Sequence, residues 1–389
     1  MNLIKLGVVL FASLLMLSMS AHAKDRHQSE KLLKAKIGQM IMMGFDGALL
    51  KASDSIAKAI QRGEVGGVIL FDYQTSTNTY DNNIKNPEQL KRLTTQLQNY
   101  AKHGAIKRKV TYYPLLISID YEGGKVNRLK ERYGFPATIT AEAFAKLSDE
   151  AATKQAEVMA QTLEDMGINL DYAPVIDVNI NPESPAIGKY GRSFSADPDV
   201  VVRSARIFTR ALRAHGILCS YKHFPGHGSA TGDTHKGFVD VTETWQPSEL
   251  KPYQTLLADP DNCGMVMVAH VKHYGLDGKG HAASLSKPII HDLLRGQLNF
   301  DGVVITDDLQ MKAITEVYGT REAIRLTINA GTDILMFGNQ LSAHRTPSQI
   351  VNMIYKDVKS GKISEKRINE AYQRIIELKK RIGHEVLVD

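Results

Sequence analysis

Eight short runs of apolar residues recur along the chain, and each run is nearly continuous rather than alternating with polar positions. Continuous apolar runs of this length are typical of parallel strands that helices cover on both faces of the sheet. We therefore predict strands at residues 40–45, 65–71, 115–119, 169–175, 217–221, 265–268, 303–306 and 333–337.

Helical patterns lie between most of these runs, and the segment 365–381 adds an amphipathic helix near the end of the chain. Strands that alternate with helices favour an α/β fold, here a single-domain (β/α)8 TIM-like barrel. An open doubly wound sheet is the alternative, although no G-x-G-x-x-G stands between a strand and a helix. Clear helices are predicted at 151–166, 199–215 and 289–298, and a long surface loop at 72–87.

The first residues of the chain have the features of a secretory signal peptide. Lys5 is followed by an apolar run over 6–19, and residues 21–23 supply a small-x-small cleavage site. We predict a signal peptide at 1–23 and a catalytic barrel domain at 24–389, in a periplasmic or secreted protein. An uncleaved membrane anchor is the alternative, but the apolar run is short for a membrane span. No stable membrane insertion is expected after cleavage.

Net charge and cysteine content place only weak constraints on the partners and the redox state of the protein. The formal net charge is +6, and removal of the signal peptide deletes one lysine, which leaves a mildly basic chain. No long block of like charge suggests a nucleic-acid partner, and we expect a monomer. The two cysteines, Cys219 and Cys263, lie in apolar surroundings. We expect buried free thiols, although export would permit a disulfide.

Polar residues cluster where the predicted strands end, the face on which barrels place their active sites. Each of them alone has a structural explanation as a helix cap or a buried hydrogen-bonding group, but together they favour a functional site. They are Asp120, Asp177, Lys222, His223, His270, Asp307 and Asp308.

A loop rich in titratable side chains follows the fifth predicted strand, over 222–228 and 233–235. Asp233 and His235 are two residues apart, so their side chains share a face of an extended loop. A carboxylate bonded to an imidazole fixes its tautomer and raises its pKa, which suits a general acid/base. A pair that merely ties down the loop is the alternative. For His227, packing within the turn is favoured over catalysis.

Two further groups of residues suggest roles in the same site. Asp307 ends a buried strand, where a rigid carboxylate serves as a nucleophile, a base or a metal ligand. Its neighbour Asp308 is expected to face elsewhere and to cap the next helix. Carboxylates accept hydrogen bonds from hydroxyls, and Lys and Arg donate them. A hydroxyl-rich substrate would therefore suit Asp120, Arg128, Arg192 and Lys222.

The segment 222–228, read with 233–235, resembles the signature of glycoside hydrolase family 3, and the Asp-x-His element resembles its β-N-acetylglucosaminidase (β-hexosaminidase) branch. The resemblance covers nearly all of the mature chain, through supporting motifs at 120–124, 173–178, 191–194 and 306–309.

The resemblance implies a (β/α)8 barrel that removes terminal β-linked N-acetylglucosamine with retention of configuration. Asp307 matches the nucleophile, and His235 matches the general acid/base, with Asp233 as its partner. No metal or organic cofactor is implied, and members of the family act on cell-wall muropeptides or chitin fragments. The positions that match sugar-binding residues are Asp120, Arg128, Arg192, Lys222 and His223.

The chain departs from the family in a few respects. Lys125 stands where arginine is more usual, and a signal peptide is unusual among relatives of this size. Relatives of the β-glucosidase type carry a carboxylate acid/base in a second domain, and none is expected here. That expectation favours the histidine.

Three alternatives to a simple hydrolase stay open. The first is a related reaction in which phosphate or another sugar accepts the glycosyl group, or a β-glucosidase-type specificity. The second is a metal-dependent hydrolase that uses His223, His227, Asp233 and His235, although glycines do not enforce a ligand geometry. The third is a wall-binding or sugar-binding protein without enzymatic activity.

Overall fold

The computed structural model describes residues 28–341 and 344–382, and the signal peptide predicted at 1–23 lies outside this range. Eight parallel strands alternate with helices along the described chain. They are β1 Ile41–Gly44, β2 Gly67–Ile69, β3 Leu116–Ile119, β4 Leu170–Asp171, β5 in two parts, Leu218–Cys219 and Tyr221–Phe224, β6 Met265–Val268, β7 Val303–Asp308, and β8 Ile334–Phe337.

The strands form a closed barrel. Each strand from β1 to β4 pairs in parallel with the next, and β8 returns to pair with β1. The two parts of β5 close the ring, because Leu218–Cys219 pairs with β4 and Tyr221–Phe224 pairs with β6. The predicted (β/α)8 barrel is therefore confirmed, and the open doubly wound sheet is not formed.

Helices surround the barrel, and local sequence explains where several of them begin. Asn86, Asp197 and Thr346 each accept a backbone N–H of the following helix, and proline follows each of them at the first helical position. The helices are α1 28–39, α2 Ser55–Arg62, α3 Pro87–Arg108, α4 Ala141–Ala145, α5 Asp149–Asp165, α6 Pro198–Ala214, α7 Lys251–Leu256, a π-helix Pro288–Gln297, α8 Lys312–Thr315, α9 Thr320–Ala330, α10 Pro347–Lys359 and α11 Glu365–Lys380.

Two predictions of local structure need correction. The segment 72–87 is not only a loop, because Tyr73–Gln74 and Thr79–Tyr80 pair as a short antiparallel hairpin. The strand predicted at 169–175 pairs continuously only over Leu170–Asp171. In the described part of the chain, no helix is both long enough and apolar enough to span a membrane.

The prediction of free thiols was wrong, because Cys219 and Cys263 form a disulfide. Their apolar surroundings were identified correctly, since both side chains are almost fully buried. Cys219 lies on β5, and Cys263 lies two residues before β6, the neighbouring strand, so that the two Cα atoms are 4.9 Å apart. Barrel closure, rather than residue type, decides the pairing.

Candidate active site

A cleft of about 350 Å³ lies at the carboxyl ends of the barrel strands. Its wall also includes apolar side chains such as Phe71, Met267 and Met336. The residues that the sequence predicted for catalysis and sugar binding all line this cleft: Asp120, Arg128, Arg192, Lys222, His223, Asp233, His235 and Asp307. Of the other strand-end residues, Asp308 also lines the cleft, whereas Asp177 and His270 do not.

Four charged residues at the base of the cleft pair with one another, and we call Asp120, Glu122, Arg192 and Lys222 the charge network. The Lys222 Nζ atom lies 2.9 Å from Asp120 Oδ1 and 2.6 Å from Glu122 Oε1. The guanidinium of Arg192 donates to both carboxylate oxygens of Glu122, at 2.7 and 2.8 Å. Arg128 Nη2 donates to Asp120 Oδ2 at 3.2 Å. Two cations of the network, Arg192 and Lys222, and the neighbouring Arg128 are therefore held in fixed positions at the cleft.

Mutual pairing keeps the network ionised despite its burial. Burial alone raises the pKa of Asp120, but Lys222 and Arg128 outweigh it and hold that pKa well below its ordinary value. Burial likewise raises the pKa of Glu122, but Arg192 and Lys222 bring it below the ordinary value. Burial lowers the pKa of Lys222, but Asp120 and Glu122 outweigh burial and raise that pKa above its ordinary value. The cleft thus presents fixed charges to a polar substrate.

Lys222 and His223 both line the cleft, although consecutive residues of a regular strand point to opposite faces. The strand is irregular here, because its register against β6 shifts between Tyr221 and Phe224. The local backbone therefore delivers two neighbouring side chains to one site.

Asp177 fixes the orientation of His223. One oxygen of Asp177 lies 2.7 Å from His223 Nδ1, and the other accepts the His223 backbone N–H at 3.1 Å. Because Asp177 occupies Nδ1, Nε2 is the ring nitrogen that remains for other partners. It lies 3.4 Å from Arg192 Nη2.

The glycine-rich turn after β5 packs tightly beneath the site. A Cβ atom at Gly228 would lie only 1.7 Å from the carbonyl oxygen of Val178, so this position has no room for a side chain. His227 is buried in the turn, its backbone N–H donates to Asp177, and burial lowers its pKa to about 4. The structure thus gives His227 the packing role that the sequence favoured.

Asp307 lies near the end of β7 and lines the cleft. Burial raises its pKa, but the nearby imidazoles of His270, His223 and His235 outweigh burial and lower the pKa below its ordinary value. Asp307 is consequently a carboxylate at neutral pH. His270 Nε2 donates to the Asp308 carbonyl at 2.9 Å and thereby anchors the backbone at this point.

Both predictions for Asp308 were wrong, because it lines the cleft instead of facing elsewhere and it does not cap the next helix. Strand β7 extends as far as Asp308, whose Oδ1 accepts the Gln310 backbone N–H at 2.9 Å. Helix α8 instead has Met311 at its N-cap position, without a side-chain hydrogen bond. The strand is longer than expected, so the Asp308 side chain lies too early to reach the helix.

Asp233 and His235 form the predicted pair. Asp233 Oδ1 lies 2.9 Å from His235 Nδ1 and also accepts the His235 backbone N–H at 3.0 Å. This hydrogen bond raises the pKa of His235, and burial opposes it only in part. Asp233 itself has its pKa lowered to about 2 by the hydrogen bond from His235. Because Nδ1 is occupied, Nε2 is the nitrogen available to a substrate.

The segment that carries this pair is hydrogen-bonded to helix α8, which follows β7 in the chain. The backbone N–H of Ala313, on α8, donates to the Thr234 carbonyl at 3.3 Å. Thr234 is buried, while the side chain of His235 is 61% exposed at the mouth of the cleft. The imidazole therefore lies between the cleft and the solvent.

Sequence reasoning identified the residues that face the cleft but did not assign roles to those behind them. Glu122 holds Lys222 and Arg192, and Asp177 holds His223. Glu122 lies two residues beyond Asp120, and this spacing could have indicated that both carboxylates serve the same cations. Asp177 was noted as a strand-end residue, but its histidine partner is distant in sequence.

The described residues contain no group of three or more His, Cys, Asp or Glu side chains placed to hold a metal ion. In particular, His223, His227, Asp233 and His235 do not converge on such a site. The His223 ring and the His227 backbone N–H bond to Asp177, while the His235 ring bonds to Asp233. The metal-dependent alternative therefore lacks a ligand set among these residues.

A closed (β/α)8 barrel with an ionised carboxylate, an Asp–His pair and fixed cations at its mouth belongs to the class of barrel proteins with a polar active-site cleft. The chain belongs to glycosyl hydrolase family 3, because the model of the family's N terminal domain matches residues 32–378. The family resemblance of the sequence motifs is confirmed.

Curated relatives carry consistent names. The chain is 31% identical over 356 residues to beta-hexosaminidase A of Pseudoalteromonas piscicida, covering 86% of this chain and 56% of that protein. It is 33% identical over 274 residues to beta-hexosaminidase LpqI of Mycobacterium tuberculosis, covering 68% of each. The chain thus spans little more than half of the length of the first of these relatives.

Solved structures agree with this assignment of the fold. The chain is similar to a glycoside hydrolase family 3 beta-N-acetylglucosaminidase from Paenibacillus sp., with a TM-score of 0.79 and 33% identity, over 92% of this chain and 64% of that chain. It is also similar to a beta-N-acetylhexosaminidase from Beutenbergia cavernae, with a TM-score of 0.77 and 27% identity, over 90% of this chain and 98% of that chain.

Proposed function

We propose that the protein is a retaining exo-β-N-acetylglucosaminidase that hydrolyses terminal β-linked N-acetylglucosamine. The observation that carries this proposal is the arrangement of one cleft, in which an ionised Asp307 faces the Asp233–His235 pair. Retaining glycosidases need a nucleophile on one face of the sugar and a proton donor on the other. The beta-hexosaminidase names of the relatives support the same activity.

The charge network would hold the terminal sugar. Asp120 accepts hydrogen bonds from hydroxyls, while Lys222, Arg192 and Arg128 donate to hydroxyl and acetamido oxygens. His223 offers its Nε2, because Asp177 occupies Nδ1. Since these groups are already paired and charged before a sugar binds, the site is preorganised.

In the first step, a carboxylate oxygen of Asp307 attacks the anomeric carbon and forms a glycosyl–enzyme ester. The bond to the leaving oxygen breaks, and the His235 imidazolium transfers its Nε2 proton to that oxygen. The raised pKa of His235 keeps the imidazole protonated for this task, and the lowered pKa of Asp307 keeps the carboxylate unprotonated.

In the second step, the now neutral imidazole removes a proton from water. The resulting hydroxide-like oxygen attacks the anomeric carbon, the ester bond to Asp307 breaks, and the carboxylate is restored. His235 regains its proton in the same step. Two displacements at one carbon give overall retention of configuration.

The test is the release of 4-nitrophenol from its β-N-acetylglucosaminide in the presence of excess chelator. Asp307→Ala should lower kcat by at least about 10⁴-fold, as the loss of a nucleophile does in other covalent mechanisms. Asp301→Ala is the matched control, because Asp301 is exposed and pairs with Arg374 outside the cleft. An Asp307→Ala variant that retains activity would refute the assignment.

Transfer to phosphate is the second candidate reaction. A specific observation favours it: the group at the exposed mouth is an imidazole, which is neutral after the first step and does not repel an incoming phosphate as a carboxylate would. Product analysis with and without phosphate separates the two reactions. A glycosyl phosphate supports transfer, and its absence leaves hydrolysis.

We further propose that the enzyme is exported and acts on cell-wall muropeptides or chitin fragments. The signal-like sequence of residues 1–23 and the disulfide between Cys219 and Cys263 both support an oxidising compartment. Edman sequencing of the protein recovered from its native host should begin at Lys24. Digestion of purified muropeptides and chitobiose side by side, followed by mass analysis, identifies the preferred substrate.

A further inference from the structure

Exposed aromatic rings are concentrated at the end of the barrel that carries the cleft. Among the described residues, four aromatic side chains are about half exposed: Tyr80, Tyr190, Phe238 and Tyr274, at 52, 48, 51 and 48%. They lie in segments that follow β2, β4, β5 and β6, all on the carboxyl side of the strands. Exposed apolar surface at the edge of a site often marks a place where a ligand binds.

Two of these rings belong to two hydrogen-bonded segments, and one of these segments directly follows the proposed proton donor in the chain. Phe238 is three residues beyond His235. The Lys272 backbone N–H donates to the Val239 carbonyl at 2.8 Å, and Val241 donates back to Lys272 at 2.9 Å. Tyr274 follows two residues later. We call Phe238, Lys272 and Tyr274 the aromatic platform.

The rings of the platform are supported from one side. The Lys272 Nζ atom lies 4.5 Å from the centroid of the Phe238 ring, which is a cation–π contact. The Tyr274 ring packs on Gly280, where an added Cβ atom would lie only 2.3 Å from the ring. Rings that are already held lose little conformational freedom when a ligand stacks on them.

We propose that the aromatic platform binds the sugar units on the leaving side of the glycan, beyond the bond that His235 protonates. This inference rests on the proposed function, because the proton donor must lie beside the leaving oxygen and hence beside the first leaving sugar. Sugar rings present an apolar C–H face that suits an aromatic ring, and Lys272 can donate to their hydroxyl or acetamido oxygens. The substrate class is then a β-linked oligosaccharide rather than a small glycoside.

The experiment compares two substrates that share the same terminal sugar. Methyl β-N-acetylglucosaminide has no leaving sugar, and chitopentaose has four. In the double variant Phe238→Ala, Tyr274→Ala, kcat/KM for chitopentaose should fall about tenfold through KM, because each ring contact contributes a factor of roughly two to ten. For the methyl glycoside, kcat/KM should stay within about twofold.

Tyr80→Ala is the matched control. Tyr80 is equally exposed and also carries a cation, since Arg132 lies 3.6 Å from its ring centroid, but it belongs to the hairpin after β2. It should leave both substrates unaffected. Equal losses on the two substrates, no loss on chitopentaose, or the same loss in Tyr80→Ala would each overturn the inference. A wild-type protein that cleaves neither substrate would instead refute the proposed function.

Discussion

The charge network and the Asp233–His235 pair lie in one cleft but in contrasting surroundings. The side chains of Lys222 and Glu122 are 2% and 4% exposed, whereas that of His235 is 61% exposed. In the network, each charge is compensated by at least one opposite charge. Among the described residues, the imidazole of His235 bonds to Asp233 through Nδ1, and Nε2 is left for a substrate.

The contrast separates binding from proton transfer. Buried ions cost several kcal/mol each in lost hydration, so they persist only when they are paired beforehand. A group that is paired in this way holds its charge and recognises a substrate, but it does not exchange protons readily. A half-exposed imidazole with a raised pKa remains titratable, and it can recover its proton from water between turnovers.

The largest effect on activity is expected when the exposed imidazole of His235 is removed. His235→Gln should lower kcat/KM for methyl β-N-acetylglucosaminide by roughly 10³-fold, because general acid catalysis is lost. The loss should be smaller for the 4-nitrophenyl glycoside, whose leaving group departs without a proton. Steady-state kinetics with both substrates test this expectation.

The control for this variant is His291→Gln, because His291 is also 60% exposed and bonded to an aspartate, but lies on the Pro288–Gln297 helix. It should retain full activity. An equal loss on the two substrates in His235→Gln would assign the histidine to binding instead of proton donation.

The disulfide links Cys219 on β5 to Cys263, two residues before β6. Replacing both Cys219 and Cys263 by serine should lower the free energy of unfolding by up to about 4 kcal/mol, since a loop of 44 residues is released in the unfolded chain. Urea denaturation measures this loss. Room-temperature kcat should remain close to that of the wild type, and a selective loss of activity would show that the bond also shapes the site.

Within the network, Glu122 is predicted to act as a positioning residue, since it contacts both Lys222 and Arg192 but does not line the cleft. Glu122→Gln leaves two buried cations with reduced compensation, at a cost of about 3 kcal/mol. We expect KM to rise by about 10²-fold while kcat falls less. The check is a kcat and KM comparison on the 4-nitrophenyl glycoside.

A surface ion pair provides the comparison for Glu122. Glu142 pairs with Lys146 on α4, and both side chains are at least half exposed. Glu142→Gln should change stability by less than about 1 kcal/mol and leave KM unaltered. If Glu122→Gln changes stability and KM as little as Glu142→Gln does, burial does not increase the contribution of the charge network to substrate binding.

The sequence predicted the exposed and cleft-facing chemistry well, because a barrel brings the carboxyl ends of its strands together. Asp120, Lys222 and Asp307 are far apart in sequence, yet each directly follows a predicted strand, so the predicted strand ends alone indicated their common site. The supporting layer was harder to predict. Asp177 holds His223 from behind, and no pattern in one sequence reveals a contact between side chains 46 residues apart.

The disulfide followed from the predicted barrel but was not itself predicted. Cys219 lay in the fifth predicted strand, and Cys263 lay two residues before the sixth. In a closed barrel these strands are neighbours, so the predicted fold already placed the two thiols close together. Residue surroundings favoured free thiols, whereas topology favoured the bond that is observed.

The smallest predicted effect on activity is that of replacing Asp233, the hydrogen-bond partner of His235. The hydrogen bond to Asp233 is the main cause of the raised pKa of His235, so Asp233→Asn should return that pKa toward or below its ordinary value of 6.5. The protonated form is needed in the first step and is lost as pH rises through this pKa. The basic limb of the kcat/KM profile should therefore move to lower pH, with a loss of about tenfold near neutrality.

The acid limb of the same profile serves as the internal control for Asp233→Asn. It reflects the protonation of Asp307, whose lowered pKa depends first on His270 and His223 among its neighbours rather than on Asp233. That limb should stay where it is. A uniform decrease at every pH, with neither limb displaced, would mean that Asp233 only positions the loop, and the two regions of the cleft would then differ in exposure but not in how they control protons.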